Sequence, residues 1–439
     1  MKEIKELLNI AEVQRLKEVL GEEADLHLVG GVVRDTILGK KPKDIDLATR
    51  LTPDEMLVRF NRAGIGSVPT GIRRGTMTAL VDGEPIEITT FRNYKDENTF
   101  TDSIEEDLSA RDLTINAIAV SVNTGEIVDP FDGLDDLENG IVRAVGDANV
   151  RFTEDPHRII RMVRFGAASG RMISPLTLLA AHENFHLVAD VAIERINAEF
   201  IKIMTSEFPV EALKLLIEIG FMDMFIPELL ELDGVKQNHW HIHDVLGHTL
   251  KVVEHTPRNR ILRVAALLHD IGKPASLTVG DDGVRHFIGH ELAGLDIAER
   301  ILERLKFTNS DKKVILKLIR NHMRPTDGGG RSIRKTMAKL GEHFDLFVQL
   351  KKADRLGGKL IENFEEEWQK FLDRVEKEKN RKVVAPFDHL NISGNDIIKL
   401  GIKQGPEVGR VLKELQELVL EEPEINNRET LIEIAKGLV

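Results

Sequence analysis

The stretch LVGGVVRDTILGKKPKDIDLAT, Leu28 to Thr49, sets paired glycines, an Arg-Asp step and two alternating aspartates in one short run. Read as a strand, KDIDLAT projects Asp44 and Asp46 to the same face, with Ile45 buried behind them. Two carboxylates on one face make a clamp for a divalent cation. Magnesium takes hard oxygen ligands and leaves room for substrate phosphates, and two-metal sites stabilise both the attacking and the leaving oxygen of a phosphoryl transfer. Gly30 and Gly31 let backbone amides approach a triphosphate at the start of a helix expected from near Val32, where the helix dipole favours anions. D-x-D and G-G are each common in loops and caps; their occurrence together, in this order, is what points to nucleotidyl transfer.

The chain as a whole sets bounds on that reading. Its 439 residues exceed what one hydrophobic core organises, so several domains are expected. Apolar residues make up 42% and charged residues 30%, with no run of about 20 uncharged apolar residues, so no membrane partner is expected. The start, MKEIKELLNIAEVQRLKEVL, reads as one amphipathic helix of mixed charge and not as an export signal. The absence of cysteine excludes disulfides, thiolate metal sites and cysteine nucleophiles, and fits a reducing, cytoplasmic setting in which any metal sits on His, Asp and Glu. A formal charge of -13 confines any nucleic-acid contact to locally clustered arginines. With aromatics at 5%, base stacking would lean on arginine planes or a few Phe residues.

From His27 to about Val145, β-type runs such as TMTALV, IEITTF and INAIAVSV alternate with turn signals such as DGEP and NTGE, which predicts a compact mixed α/β unit. Beyond Glu154 the pattern turns to long amphipathic helices, for example Glu211 to Ile219 and Glu291 to Leu305. SLTVGDDGVRHFIG is the exception, a short hairpin with Gly in its turn, and the charged stretch 361–382 reads as an exposed helix and linker. The fold class is therefore α+β.

Further motifs carry a family resemblance. GGVVRD followed by DIDLAT resembles the head of the class II tRNA nucleotidyltransferase and bacterial poly(A) polymerase family, within the polymerase β superfamily. SARDLTINAIA resembles that family's second motif, with Arg111, Asp112 and Asn116 in place and Ala110 where the motif has its first arginine. The resemblance implies that these groups, with Gly30, Gly31 and Arg34, hold the ribose and phosphates of an incoming nucleotide. It also implies a third acid on EPIEITTFR; Glu87 is the candidate, since alternation sets it opposite Ile86 and Ile88, although it could equally be a solvent-facing strand residue. IVDPFDGLDDLENGIVRAVGD resembles the element joining head to neck and reads as a turn-rich connector.

RFTEDPHRIIRMVRF resembles the family's base-selecting motif, here Glu154, Asp155 and Arg158. Three residues apart, Asp155 and Arg158 are expected to be neighbours on one helix face. Cytosine and adenine both show an exocyclic amine beside a ring-nitrogen acceptor, so a carboxylate accepts from the first and a guanidinium donates to the second. Uracil and guanine present the inverse, and each mismatched buried donor costs roughly 1 to 3 kcal/mol. The pair could also be an ordinary surface ion pair. Arg161 extends the motif as a nucleotide ligand, although Arg161 and Arg164 could also be simply solvated; the same arginine-rich stretch could lie along tRNA phosphates.

The segment from HDVLGHTLKVVEHT to LKKADRLGG resembles an HD phosphohydrolase domain. His248, His269, Asp270 and Asp354 match its metal-ligand signature, and His290 and His322 match additional positions of binuclear members. Imidazoles and carboxylates from separate helices can converge on a divalent ion that activates water against a phosphoester. Other histidines of HWHIHDVLGHTL read as ordinary hydrogen-bonded residues. The tail LNISGNDIIKLGIKQGPEVGRVLKEL resembles the helical tail of HD-bearing nucleotidyltransferases, with tRNA contact and packing equally open.

The expected architecture is a polymerase β-like nucleotidyltransferase head over 1–145, a helical neck over 146–235, an HD domain over 236–360 and a helical tail over 361–439. The implied activity is template-independent addition of CC or CCA to the tRNA 3' end from CTP and ATP. Mg2+ is implied in the head and Ni, Mn, Co or Mg in the HD domain. NYKDENTFTDSIEEDL, between TTFR and SARD, is shorter than the flexible loop associated with full CCA addition, which keeps a CC-adding enzyme open. Poly(A) polymerase is the nearer alternative, disfavoured by TGIRRGTMTAL, Thr70 to Leu80; an HD phosphodiesterase with an RNA-binding head is the alternative from another class.

Overall fold

The computed structural model describes residues 2–42, 44–71, 75–93, 99–237, 242–281, 283–358, 362–381 and 390–438. It divides into two units, Met1–Phe221 and Met222–Val439. Parts of the stretches 70–80, 93–108, 239–250 and 361–382 discussed above lie outside the described residues.

In the first unit, strands β1 (His27–Val29), β2 (Asp46–Thr49), β3 (Gly66–Gly71), β4 (Thr76–Val81), β5 (Glu84–Thr90), β6 (Ala119–Ser121) and β7 (Ile127–Val128) form one sheet in the order β3-β4-β5-β2-β1-β6-β7. All pairs are antiparallel except β2 with β5. The β2–β5 crossover includes the helix Pro53–Ala63, which Thr52 starts with a capping box to Glu55 and Gly64 ends in the left-handed conformation. Along β4 and β5 the alternation buries Met77, Ala79, Val81, Ile86 and Ile88 and turns Glu87 to the other face. The helix α1 (Gly31–Ile37) lies between β1 and β2, and α2 (Ala148–Glu154) and α3 (His157–Phe165) follow the sheet.

Two expectations for this unit are corrected. The N-terminal segment is two helices, Lys2–Leu8 and Ala11–Leu20, because Ile10 is extended and the Gln14 amide donates to the Leu8 carbonyl at 2.7 Å. The connector over 127–142 is not merely turns: it supplies β7, the helix Gly133–Glu138 and the strand Ile141–Val142, with Asp129 accepting from the amides of Gly133 and Leu134.

The second unit is helical apart from the predicted hairpin, where Thr278 and Val279 pair with His286 and Arg285. Its central helices are α4 (Val245–His255), α5 (Arg260–Leu268), α6 (His290–Arg304), α7 (Asn309–Asn321), α8 (Phe344–Gly357) and α9 (Phe364–Asn380). The helix α4 packs on α8, and α7 on both α5 and α6. The tail helices share an apolar cluster that includes Ile397, Val411, Leu415 and Leu431. Arg334 ties the tail to this body, donating to the carbonyls of Leu420 and Glu421 at the end of the helix Pro406–Glu421 while pairing with Glu378 at 2.7 Å. Among the described residues no helix is long and apolar enough to cross a membrane.

Gly272, just past Asp270, lets two backbones touch: a Cβ there would lie 2.3 Å from the His290 carbonyl oxygen and 2.4 Å from the Gly294 amide nitrogen. Backbone cannot rotate away, so Gly272→Ala is expected to lower stability by about 1–3 kcal/mol, whereas Gly409→Ala, with open space around its Cβ, leaves it unchanged or slightly raised. Thermal unfolding of the two variants checks the contrast.

Candidate active site and metal centre

In the first unit β1 delivers the chain to Gly30, which has φ +70° and would place a Cβ 2.9 Å from Arg111 Nη1. Both the turn and the close approach of Arg111 require glycine there. From the following helix Arg34 donates to Asn116 Oδ1 at 2.6 Å and to Asp35 at 2.7 and 2.9 Å. Arg111 donates to Asp107 Oδ2 at 2.9 and 3.2 Å. Asp112 accepts from the Leu113 amide and Asn116 Nδ2 on one oxygen, and from Arg161 Nε at 2.6 Å on the other. The motif residues Arg34, Arg111, Asp112, Asn116 and Arg161 are thus brought together. Burial works against the charge on Asp112, but Arg161 and these hydrogen bonds outweigh it and hold its carboxyl down to about 2.

The acids beside this network are placed less simply than the strand reading predicts. The strand β2 begins at Asp46; Asp44 lies in a bend before it and is exposed, and Ile45 is only half-buried. The same-face argument therefore holds for Asp46 and not for Asp44. Glu87 is the parallel register partner of Asp46, so the two side chains share a face across adjacent strands. Burial raises the carboxyl of Asp46; Arg111 opposes this, and Glu87 and Asp44 add to it. Such an accumulation of negative charge fits a divalent cation. Among the described residues the sets of three or more ligand atoms within 4.8 Å of one another lie in the other unit.

The base-selecting motif is corrected in its geometry. Asp155 is not on a helix face with Arg158: α2 ends at Glu154, Asp155 is extended at φ -141°, and α3 begins at His157. Pro156 is the reason, since a residue preceding proline is driven out of the helical region. Asp155 accepts from the His157 amide at 3.2 Å and from Arg195 at 2.9 Å. Arg158 is turned inward to Glu154 at 2.9 Å and to the carbonyls of Arg151 and Ala110. Ala110, where the motif has an arginine, contributes its backbone oxygen instead.

Several residues here escape sequence reasoning. Arg195 holds Asp155 from 40 positions away, and Glu199 pairs with Arg164 at 2.8 Å. The ring of Phe165 meets the guanidinium carbons of Arg164, Arg34 and Arg161 at 4.0, 4.6 and 5.3 Å. Burial lowers Arg164 to about 10 despite Glu199. The three-residue spacing of Arg158, Arg161 and Arg164 is the signal for a common stripe; the shared aromatic ring has none.

In the second unit all six sequence-predicted ligands converge from five helical segments. His248 lies on α4, His269 and Asp270 just beyond α5, His290 opens α6, His322 follows α7, and Asp354 is on α8. Each imidazole has Nδ1 at a backbone carbonyl: Gly357 at 3.1 Å for His248, and Ala266, Phe287 and Ile319 at 2.7 Å for His269, His290 and His322. A carbonyl can only accept, so Nδ1 carries the hydrogen and each neutral ring directs the Nε2 lone pair inward. Two trios result, His248–His269–Asp354 and Asp270–His290–His322. Asp270 joins them: Oδ2 is 3.2 Å from His269 and 3.5 Å from His248, Oδ1 is 3.2 Å from His290 and 3.7 Å from His322. The Nε2 atoms of His290 and His322 are 3.1 Å apart, and two lone pairs at that distance call for a cation between them. The imidazole and carboxylate donors of these trios fit a divalent ion, which they would hold and which would supply a Lewis acid for activating water.

Two buried lysines complete the centre. Lys273 Nζ lies 2.6 Å from Asp270 Oδ2 and donates to Gln237 at 2.7 Å, and Lys351 donates to the His322 carbonyl at 2.8 Å. Burial opposes ionisation of Asp270, but the positive charge of Lys273 beside it helps hold the carboxyl well below the usual carboxylate range.

An acid and arginine head joined to a helical HD centre defines a nucleotidyltransferase of the poly(A) polymerase head type. Residues 26–143 match the poly A polymerase head domain, 172–232 the "probable RNA and SrmB- binding site of polymerase A", and 241–381 the HD domain. The CCA-adding enzyme of Leuconostoc mesenteroides is 30% identical over 94% of this chain and 93% of its own length. That of Lactiplantibacillus plantarum is 45% identical over 45% of this chain, and this alignment spans 48% of that relative. The crystal structure of the Bacillus stearothermophilus CCA-adding enzyme in complex with CTP aligns over 100% of this chain and 98% of its own with a TM-score of 0.75 and 25% identity. The Thermotoga maritima CCA-adding enzyme complexed with tRNA shares the fold at a TM-score of 0.60 and 18% identity. The chain belongs to the CCA-adding enzyme family.

Because the Asp112 carboxyl is depressed from 3.8 to about 2, its stabilisation is fully present above about pH 4 and is lost as pH falls through 2. Asp112→Asn is expected to cost roughly 2 kcal/mol at neutral pH, with the gap to the parent closing between about pH 4 and pH 2. Urea unfolding across that range measures it.

Proposed function

We propose that the chain is a template-independent tRNA nucleotidyltransferase that completes the 3'-terminal CCA from CTP and ATP and releases pyrophosphate. The observation that carries this reading is the registration of Asp46 with Glu87 beside Arg111, in a chain similar along nearly its whole length to CCA-adding enzymes. Asp44 and Asp46, with Glu87 as third acid, would hold Mg2+, which when bound neutralises charge on the phosphates and the attacking 3'-hydroxyl. Arg34, Arg111, Asp112 and Asn116 hold the ribose and phosphates at Gly30 and Gly31, and Arg161 supports them through Asp112.

Asp155 and Arg158, next to Glu154, read the base. A carboxylate oxygen has two acceptor sites, so Asp155 can keep Arg195 and still accept from the exocyclic amine of C or A. The short segment that leaves a CC-adding enzyme open includes residues outside those described, whereas the relatives spanning the chain are named CCA-adding enzymes. For the second unit the proposed activity is metal-dependent phosphoester hydrolysis, with the six ligands holding Ni, Mn, Co or Mg. The proposed division is head 1–145, neck 146–235, HD domain 236–360 and tail 361–439, in a cytoplasmic protein.

The test is an assay on tRNA ending at the discriminator base with labelled CTP and ATP. The parent is expected to stop after CCA, and Asp44→Ala with Asp46→Ala to lose roughly a thousandfold or more of that addition while retaining phosphohydrolase activity. His269→Ala is expected to show the reverse. Long oligo(A) on arbitrary RNA, or a product ending at CC, would defeat the assignment.

A further inference from the structure

No helix sets the direction of Asp155. It lies in the extended break between α2 and α3, so hydrogen bonds aim its carboxylate. Oδ1 accepts from the His157 amide at 3.2 Å, within the same turn. Oδ2 accepts from Arg195 at 2.9 Å, and the Arg195 side chain is 43% exposed. A long cation at that exposure does not hold one geometry by its ion pair alone.

His157 supplies the second anchor. Its ring is buried, and one residue meets both of its nitrogens: the Arg195 guanidinium lies 3.2 Å from Nδ1 and the Arg195 carbonyl 3.3 Å from Nε2. A carbonyl only accepts and a guanidinium only donates, so Nε2 carries the hydrogen and Nδ1 offers its lone pair. Arg195 Nη2 then gives one hydrogen to Asp155 and the other to His157. The bonds close a loop from the His157 amide through Asp155 and Arg195 to the His157 ring. For packing alone, an apolar side chain would fill this position without two ring nitrogens that each need a partner.

We propose that His157 is a positioning residue for base selection: its neutral ring steadies the Arg195 guanidinium, and through it the direction in which Asp155 meets the exocyclic amine of C or A. This rests on the base-reading role given to Asp155 above. A consequence for acidity follows. The helix α3 packs on α2, on the turns Ala167–Ser169 and Phe185–Asp190, and on the helices Ile193–Met204 and Pro209–Glu218. The charges bearing on the ring are Arg195 and Glu199, from the helix Ile193–Met204, and Asp155. Burial, then Arg195, lower the imidazole from its usual 6.5, against the opposite pull of Glu199 and Asp155. The ring is therefore neutral at neutral pH. A proton on Nδ1 would set N–H against N–H and cation against cation, and Arg195 would leave the loop.

The test compares kcat/KM for CTP and UTP on tRNA ending at the discriminator base, with the full-length chain between about pH 5 and pH 8. Both nucleotides carry the same triphosphate, so titration of the phosphates and of the head acids cancels in the ratio. The parent's preference for CTP is expected to be level at neutral pH and to fall roughly tenfold as the ring takes up its proton. His157→Asn, whose amide oxygen is an acceptor that does not titrate, is expected to keep the ratio level throughout. His157→Leu should lower it roughly tenfold at neutral pH, yet make no difference in an Arg195→Ala background, because the ring acts through Arg195. A parent ratio that ignores pH, an acid fall that survives in His157→Asn, or a leucine effect undiminished in Arg195→Ala overturns the proposal. If the variants do not fold, the parent profile decides alone. A parent with no preference for CTP at any pH removes the base-reading role and the proposal with it, whereas a preference kept in His157→Leu removes only the part given to His157.

Discussion

Burying a guanidinium obliges the chain to find an acceptor for each N–H that leaves water, and in the first unit this obligation ties the motifs together. Arg151 is 1% exposed and Arg158 6%. Arg151 donates to the Ser109 carbonyl and to Glu154; Arg158 donates to the Ala110 carbonyl and to the same Glu154. The turn of SARD and the end of α2 are therefore fixed to one another across more than 40 positions of sequence by buried cations. Removing one partner from such a pair leaves an uncompensated buried charge, at a cost of about 3–5 kcal/mol. That is why alanine is tolerated at 110: what the fold uses at this position is a backbone oxygen, with the side chain itself buried.

The second unit solves the converse problem, since it buries anions and lone pairs. Asp270 is 2% exposed, and His248, His269 and His322 are each 1% exposed. Four backbone carbonyls fix the imidazole tautomers, which leaves no freedom to turn a hydrogen inward. Lys273 supplies one positive charge beside Asp270, and the approach of His290 to His322 at 3.1 Å suits a further cation. The backbone contact at Gly272 sets that approach, because it brings the start of α6 against the turn that carries Asp270.

What was legible in the sequence was chemistry rather than direction. The family resemblance pointed to Asp46, Glu87, Arg111, Asp112, Asn116 and six HD residues, and the structure brings Asp46 into register with Glu87 and the six HD side chains into two trios. Where the reading went astray, a local backbone rule had been passed over: Pro156 breaks the helix assumed to carry both Asp155 and Arg158, and Ile10 breaks the first helix. Partners were illegible for another reason. Arg195, Glu199, Lys351 and Phe165 answer needs created by tertiary contact, and nothing in their own neighbourhood marks them. The charged run of α9 concealed its aromatic face because charge dominates a linear reading while period-3.6 placement decides what is buried.

The two centres also differ in when a metal can be held. The head offers carboxylate oxygens that do not converge as a trio, with Asp44 exposed in a bend. Oxygen donors so few and so open suit an ion that keeps its waters and gains its remaining ligands from a triphosphate. The HD centre offers four imidazoles and two carboxylates, oriented by backbone carbonyls before any ligand arrives. Imidazole-rich donors oriented in advance differ in kind from the open carboxylates of the head. The difference follows from the surroundings: burial, with Glu87 and Asp44 and against Arg111, raises the carboxyl of Asp46, while backbone carbonyls already fix the tautomer of every HD imidazole.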